Sequence, residues 1–81
     1  MRIRSLIAYR KVDWHEDEVY RTKVSKETLE EFATRVNIAI RKNLCEFELN
    51  NIVSVQYLEN ETICIVTFKS TSYDTSNIIL K

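Results

Sequence analysis

The sequence predicts a single α+β domain in which one helix packs across one face of an antiparallel sheet of four to five strands. Three observations lead to this fold class. The chain of 81 residues has room for one hydrophobic core. A central segment carries apolar residues at the three- and four-residue spacing of a helix. The segments on both sides of it are rich in β-branched and aromatic residues, so the predicted order is strand, strand, helix, strand, strand, with a short C-terminal fifth strand as a candidate.

The two N-terminal strands are predicted to form a hairpin. Residues 2 to 12 have a continuous apolar centre, Leu6 to Tyr9, which is typical of a strand in the interior of a sheet. Residues 18 to 24 alternate weakly between polar and β-branched or aromatic residues. The acidic stretch between the two strands is expected to form the turn, because Asp13 and Asp17 are good turn residues.

The helix is predicted to begin near Ser25 and to end near Asn43. Ser25 is a suitable N-terminal cap, and Val24 and Leu29 stand at the two positions of a hydrophobic staple. Asn43 can adopt the left-handed conformation that often ends a helix. The apolar residues between these ends form one stripe: Leu29, Phe32, Ala33, Val36, Ala39 and Ile40.

A second hairpin is predicted after the helix, with Asn60 and Glu61 as its two-residue turn. In this register Ile52 faces Lys69 at the far end of the hairpin. One face is wholly apolar and is expected to lie under the helix; its residues are Val53, Val55, Tyr57, Cys64, Val66 and Phe68.

The opposite face of this hairpin holds an apolar cluster of Leu58, Ile63 and Ile65. Two interpretations of the cluster stay open: its residues are scattered surface aliphatics or are covered by the C-terminal tail, or they form a self-association or partner interface. Residues 77 to 80 form a short strand that would pair on a sheet edge. Residues 44 to 51 are either an anchored loop or another short strand.

The composition excludes several classes of function. Without glycine the chain cannot form the glycine-dependent loops that bind phosphate groups. Equal numbers of basic and acidic residues give a net charge of zero, so the positive excess of a general nucleic-acid binder is missing. No apolar run approaches the roughly 18 residues that span a bilayer, and no signal peptide is evident, so a cytoplasmic location without a membrane partner is expected. Cys45 and Cys64 lack motif spacing and are expected to be free buried thiols, and no cofactor is expected.

The stretch KVDWHEDEV, residues 11 to 19, surrounds the only histidine with carboxylates and contains the only tryptophan. One histidine is too few for a zinc or iron site, and acid/base catalysis lacks an accompanying nucleophile or oxyanion loop, so we expect neither a metal site nor an enzyme. A polar turn is the simplest interpretation. The tryptophan either folds back onto the core or is displayed as a binding anchor. In the second case the partner-binding tip consists of Asp13, Trp14, His15, Glu16, Asp17 and Glu18.

The first strand is basic and provides an alternative. Its basic residues are Arg2, Arg4, Arg10 and Lys11. The three arginines share strand parity and could line one face, where they would bind nucleic acid by phosphate contacts while Tyr9 and Trp14 stack on bases. Ion pairing with the acidic stretch explains the same residues.

The function that the sequence favours is therefore non-enzymatic. We expect a small interaction module that binds a larger protein and regulates or inhibits it, as a homodimer or small oligomer. Usage rich in Asn and Ile suggests an AT-rich genome, such as that of a phage or a mobile element. The alternatives are a nucleic-acid-binding or transcription-associated protein that uses the basic first strand, and an oligomer that sequesters a small ligand between its subunits.

Overall fold

The computed structural model describes residues 1–16 and 21–80, with residues 13–16 and 21–25 described by their backbone. The elements in chain order are β1 (Arg2–Tyr9), β2 (Val12–Glu16), β3 (Arg21–Ser25), α1 (Leu29–Asn43), α2 (Glu46–Leu49), β4 (Ile52–Leu58), β5 (Ile63–Ser70) and β6 (Ile78–Leu80). The α+β class is confirmed.

The main sheet has four strands in the order β4-β5-β1-β6. β4, β5 and β1 are antiparallel neighbours, whereas β6 runs parallel to β1. The prediction of a purely antiparallel sheet was therefore wrong. The reason is that β5 ends at Ser70, opposite Arg2 at the start of β1. The chain leaves β5 at that end of the sheet, so the returning strand β6 must run in the same direction as β1.

The predicted pairing of the first strand with the strand before the helix was also wrong. β1 has β5 on one side and β6 on the other, so neither of its edges is free for β3. Instead β3 pairs with β2 in a separate two-stranded sheet, with Val12 opposite Ser25 and Glu16 opposite Arg21. Residues 13–16, which were predicted to lie in the acidic turn, thus belong to a strand.

The N-terminal cap of helix α1 lies three residues later than predicted. Ser25 is the last residue of β3, and the cap is Thr28, whose side chain accepts a hydrogen bond from the Glu31 N–H at 3.1 Å. The Glu31 side chain in turn accepts from the Thr28 N–H at 3.4 Å, which completes a capping box. The helix ends at Asn43 as predicted. Asn43 does not have the predicted left-handed conformation, and the following residue, Leu44, is extended.

The core lies between α1 and the two central strands of the main sheet. The buried helical residues, Phe32, Val36, Ala39 and Ile40, come from the predicted stripe. They face Leu6 and Ala8 of β1 and Cys64, Val66 and Phe68 of β5. Because α1 covers β1 and β5, edge strand β4 stays exposed on the same face, at Val53, Val55 and Tyr57. The prediction that the helix covers this whole face therefore holds for β5 and only in part for β4, where the Tyr57 ring packs edge-on against Phe32 with the ring centroids 6.0 Å apart. Residues 46–49 form the short helix α2, where a loop or strand was predicted.

The β4–β5 hairpin has the predicted register from Ser54 to Leu58. Its turn is longer, because residues 59–62 lie outside both strands and Glu59, Asn60 and Glu61 all have positive φ angles. At the other end a register shift between Ile52 and Ser54 places Ile52 opposite Phe68 instead of Lys69. A bulge of this kind adds one residue to β4 and bends the strand.

The molecule is elongated. Its extents are 52 × 20 × 17 Å and its radius of gyration is 15.0 Å. A compact domain of this length would have a radius of gyration of about 12 Å. The β2–β3 hairpin forms a sheet of its own instead of widening the main sheet.

Candidate functional site

One face of the main sheet carries no helix among the described residues, and we call it the open face. Side chains alternate along each strand, so the register assigns every second residue to it. The open face consists of Ile3, Ser5, Ile7, Tyr9, Ser54, Gln56, Leu58, Ile63, Ile65, Thr67, Lys69 and Ile79. Of these residues only Lys69 is charged, in a chain of which 30% of the residues are charged.

The apolar residues of the open face are contiguous. Tyr9 lies opposite Ile63, which in turn lies opposite Leu58. The next row across the strands contains Ile65, Ile7 and Ile79, with Gln56 at its end. Tyr9 is 43%, Leu58 41% and Ile79 54% exposed, whereas the buried core lies on the helix side. Contiguous apolar patches on a small protein mark interaction surfaces.

The predicted cluster of Leu58, Ile63 and Ile65 lies within this patch. Its extension through β1 and β6 was not recognised from the sequence. Leu6 to Tyr9 is a continuous apolar run, so alternation alone does not show that Ile7 and Tyr9 point away from the helix. Ile79 joins the patch only because β6 runs parallel to β1 and sets Ile79 opposite Ile7.

The structure describes only part of the predicted acidic tip. Asp13, Trp14, His15 and Glu16 lie in β2, where Trp14 is opposite Lys23 and Glu16 opposite Arg21. Asp17 and Glu18 lie outside the described residues. The binding role of this tip stays a prediction.

The arginines of the basic first strand contact other segments of the chain, and their nucleic-acid role stays a prediction. Arg2 and Arg4 are register partners of Ser70 and Phe68, on the helix side of the sheet, and Arg10 follows the end of β1. Arg4 donates to the Ser76 carbonyl from Nε at 3.3 Å and from Nη2 at 3.1 Å.

The other basic residues differ in their surroundings. Arg2 donates to the Ser72 carbonyl at 3.3 Å, Arg10 donates to the Glu27 carbonyl at 2.8 Å, and Lys11 is exposed. Arg2 and Arg4 thus hold the segment that leads into β6, and Arg10 holds the segment that leads into α1.

Glu27 lies at the centre of a polar network near the start of α1. Its carboxylate accepts two hydrogen bonds from Arg35, at 2.8 and 2.9 Å, and one from the Lys11 N–H at 3.2 Å. The hydrogen bonds and charge of Arg35, with the Lys11 N–H, outweigh burial and lower the pKa of Glu27 to about 2. Arg35 also donates to the Tyr9 carbonyl at 2.6 Å, so the network joins β1, the end of the β2–β3 hairpin and α1.

Glu48 is the second buried carboxylate, and it joins α2 to the main sheet. It accepts from the Ser70 hydroxyl at 2.5 Å and from the Cys45 N–H at 3.0 Å, and Arg4 Nη1 lies 3.6 Å away. Burial alone would raise its pKa, but these hydrogen bonds and the Arg4 charge outweigh burial and lower the pKa. Glu27 and Glu48 are therefore ionised and fully engaged in structural contacts.

The remaining candidate groups for chemistry are metal-binding clusters and cysteine thiols. Among the residues whose side chains the structure describes, 1–12 and 26–80, no cluster of three or more His, Cys, Asp or Glu residues is arranged to hold a metal ion. Both cysteines are free, but only Cys64 is buried as predicted, because Cys45 lies at the exposed start of α2. Burial raises the pKa of the Cys64 thiol despite the opposing effect of the neighbouring Tyr57 side chain, and this keeps the thiol protonated and poorly nucleophilic.

Two shallow grooves border α1. They have volumes of about 400 and 450 Å³ and share Arg35 and Ile38. Enclosed ligand sites surround most of a bound molecule. Both grooves are open along their length, so neither has the form of an enclosed ligand site.

Comparison of the chain with protein-family models, with curated proteins and with solved structures gave no match. None of the helices in the described part of the chain has the length and apolar character needed to cross a membrane.

Proposed function

We propose that the protein is a non-enzymatic interaction module that binds a larger protein through the open face. The observation that carries this proposal is the combination of a contiguous apolar patch with a single charged residue, Lys69, on that face. Burying apolar surface is the main source of binding energy between proteins. The partner surface is therefore apolar and uncharged, and it is flat enough to cover a sheet.

A protein partner has more support than a nucleic acid. Nucleic-acid affinity comes mainly from basic groups that reach phosphates. The guanidinium groups of Arg4 and Arg10 are occupied by carbonyl groups of the chain itself, and the open face contributes only one positive charge. In the described part of the chain, binding of a small ligand also has less support, because the grooves beside α1 are open.

The β2–β3 hairpin is the second contact region in this proposal. Because it forms its own sheet, it can reach beyond the footprint of the open face. The tip predicted around Trp14 would then add an aromatic anchor and acidic groups at the edge of the interface. Acidic groups at an interface edge mainly raise association rates and select partners.

Regulation or inhibition is the proposed outcome of binding. A chain of 81 residues can act by occupying a surface that its partner needs. The proposal includes a cytoplasmic location, and the two free cysteines support it, because thiols stay reduced in that compartment.

The experiment is affinity capture from a nuclease-treated lysate with matched variants. Ile65→Lys places a charge in the centre of the apolar patch, while the long lysine stem keeps most of the apolar contacts within the sheet. Ile38→Lys is the control, because it makes the same change at a residue of α1 that is 61% exposed. Ile3→Lys, at a residue 57% exposed on the open face, replaces Ile65→Lys if that variant does not fold.

We expect the wild type and Ile38→Lys to retain the same protein, and the open-face variant to lose at least about 90% of it. A loss of this size corresponds to about 1.4 kcal/mol or more of binding free energy. Equal retention by all variants, or retention that nuclease treatment abolishes, would contradict the proposal.

A further inference from the structure

Strand β4 is an exposed edge strand of the main sheet. It stands at the end of the strand order, so its outer side has no strand partner among the described residues. Every residue of β4 except Ser54 is exposed. Val53 is 57% and Val55 49% exposed, because α1 covers the central strands only. Unpaired backbone groups beside exposed apolar side chains are a template for pairing with another strand.

No charged residue in β4 protects this edge from pairing with another strand. Its sequence, IVSVQYL, contains no Lys, Arg, Asp or Glu, although proteins commonly place charged residues on free edges to prevent pairing. The first acidic residue, Glu59, follows the end of the strand. The only irregularity is the bulge at Val53, which leaves Ser54 to Leu58 in regular register with β5.

The polarity of β4 is symmetric about Val55. Two polar residues, Ser54 and Gln56, flank it, and two apolar residues follow on each side. Within the regular part of the strand, an antiparallel copy centred on Val55 therefore sets Val55 against itself and Ser54 against Gln56, and the bulged Val53 lies near Tyr57 of the copy. Each pair matches apolar with apolar or polar with polar, and cross-strand matches of this kind stabilise a sheet.

We propose that β4 pairs with β4 of a second copy of this chain, antiparallel and with a two-fold axis at Val55. The pairing joins two four-stranded sheets into one of eight strands and gives a partner to the free backbone groups of both edges. A two-fold arrangement uses the same surface on both copies and is closed, so it forms dimers instead of fibres. The open face stays free on each copy, so the dimer presents two of them.

The size of the contact sets the expected affinity. A strand of seven residues is about 24 Å long at about 3.4 Å per residue. The edges of two single strands cover less than the roughly 600 Å² per partner that specific interfaces bury, so we expect a weak, reversible dimer.

Sedimentation measurements on the wild type and three variants test this pairing. Wild-type protein, studied from about 1 to about 300 µM, the range of a weak dimer, should rise in mass from 9.6 kDa towards twice that value. Val55→Lys should stay monomeric, because two lysines would meet at the axis. Val55→Glu should also stay monomeric, because two glutamates would meet at the axis. Ile38→Lys is the matched control on α1 and should dimerise as the wild type does.

Mixing the two Val55 variants gives the sharpest result. Lys and Glu then meet across the axis, so an equimolar mixture should dimerise although each variant alone is monomeric. This rescue also shows that both variants are folded. A wild type that stays monomeric throughout, or a Val55→Lys protein that dimerises like the wild type, would overturn the pairing. If Ile65→Lys abolished the dimer and Val55→Lys did not, self-association would instead use the open face. None of these outcomes depends on capture of a larger protein, so either proposal can fail alone.

Discussion

Replacement of Glu27 by glutamine tests how the network around Arg35 holds the domain together. The pKa of Glu27 is about 2 in the folded chain, against an ordinary value of 4.5. Each unit of pKa corresponds to about 1.4 kcal/mol, so this lowering sets an upper limit of about 3 kcal/mol. The Arg35 side chain is 26% exposed, and solvent screening reduces the contribution. We expect Glu27→Gln to lower the free energy of unfolding by about 2 kcal/mol at pH 7.

The pH dependence of this difference has a definite sign. Because the folded pKa of Glu27 lies below the unfolded value, its stabilisation is complete above about pH 4.5 and is lost as the pH falls towards 2. Urea unfolding of both proteins at a series of pH values measures it. The gap between wild type and Glu27→Gln should close between pH 4.5 and 2. Other carboxylates, including Glu48, titrate in both proteins and largely cancel in the difference.

A gap that stays constant down to pH 2 would refute this account, since it would show that Glu27 acts through packing and not through its charge. No gap at pH 7 would refute it as well. Glu30→Gln is the control, because Glu30 is an exposed residue in the first turn of α1. It should change the free energy of unfolding by about 0.5 kcal/mol or less.

Two further substitutions test local features of the fold by urea unfolding. Thr28→Ala removes the hydroxyl that accepts the Glu31 N–H, so we expect a loss of about 1 kcal/mol, and Thr28→Ser, which keeps a hydroxyl, should lose much less. Glu61→Gly relieves a φ of 63°, so we expect a gain of about 0.5–1 kcal/mol, and a loss would show that the Glu61 side chain stabilises the turn.

Local patterns predicted the parts of the fold that depend on neighbours in sequence. The apolar stripe of α1 follows from helical periodicity, and the register of the β4–β5 hairpin from Ser54 to Leu58 follows from alternation. The start of α1 was misplaced because Ser25 and Thr28 are both good caps. The spacing of Thr28 and Glu31 is the signal that distinguishes them, since it fits a capping box.

The strand partners could not be predicted, because they join segments far apart in the chain. The apolar run from Leu6 to Tyr9 indicated an interior strand, and β1 is one. Its neighbours are β5 and β6, and no local pattern specifies them. The open face shows the same limit: Leu58, Ile63 and Ile65 were recognised within one hairpin, whereas Ile7, Tyr9 and Ile79 join them only through pairing across the chain.

Hydroxyl-radical footprinting of the free chain and of the captured complex tests most directly whether the open face binds a larger protein. Tyr9 lies on the open face at 43% exposure, and Tyr73 is 89% exposed in the segment between β5 and β6. We expect oxidation of Tyr9 to fall sharply in the complex while oxidation of Tyr73 is unchanged. Unchanged oxidation of Tyr9, with protection elsewhere on the chain, would contradict it.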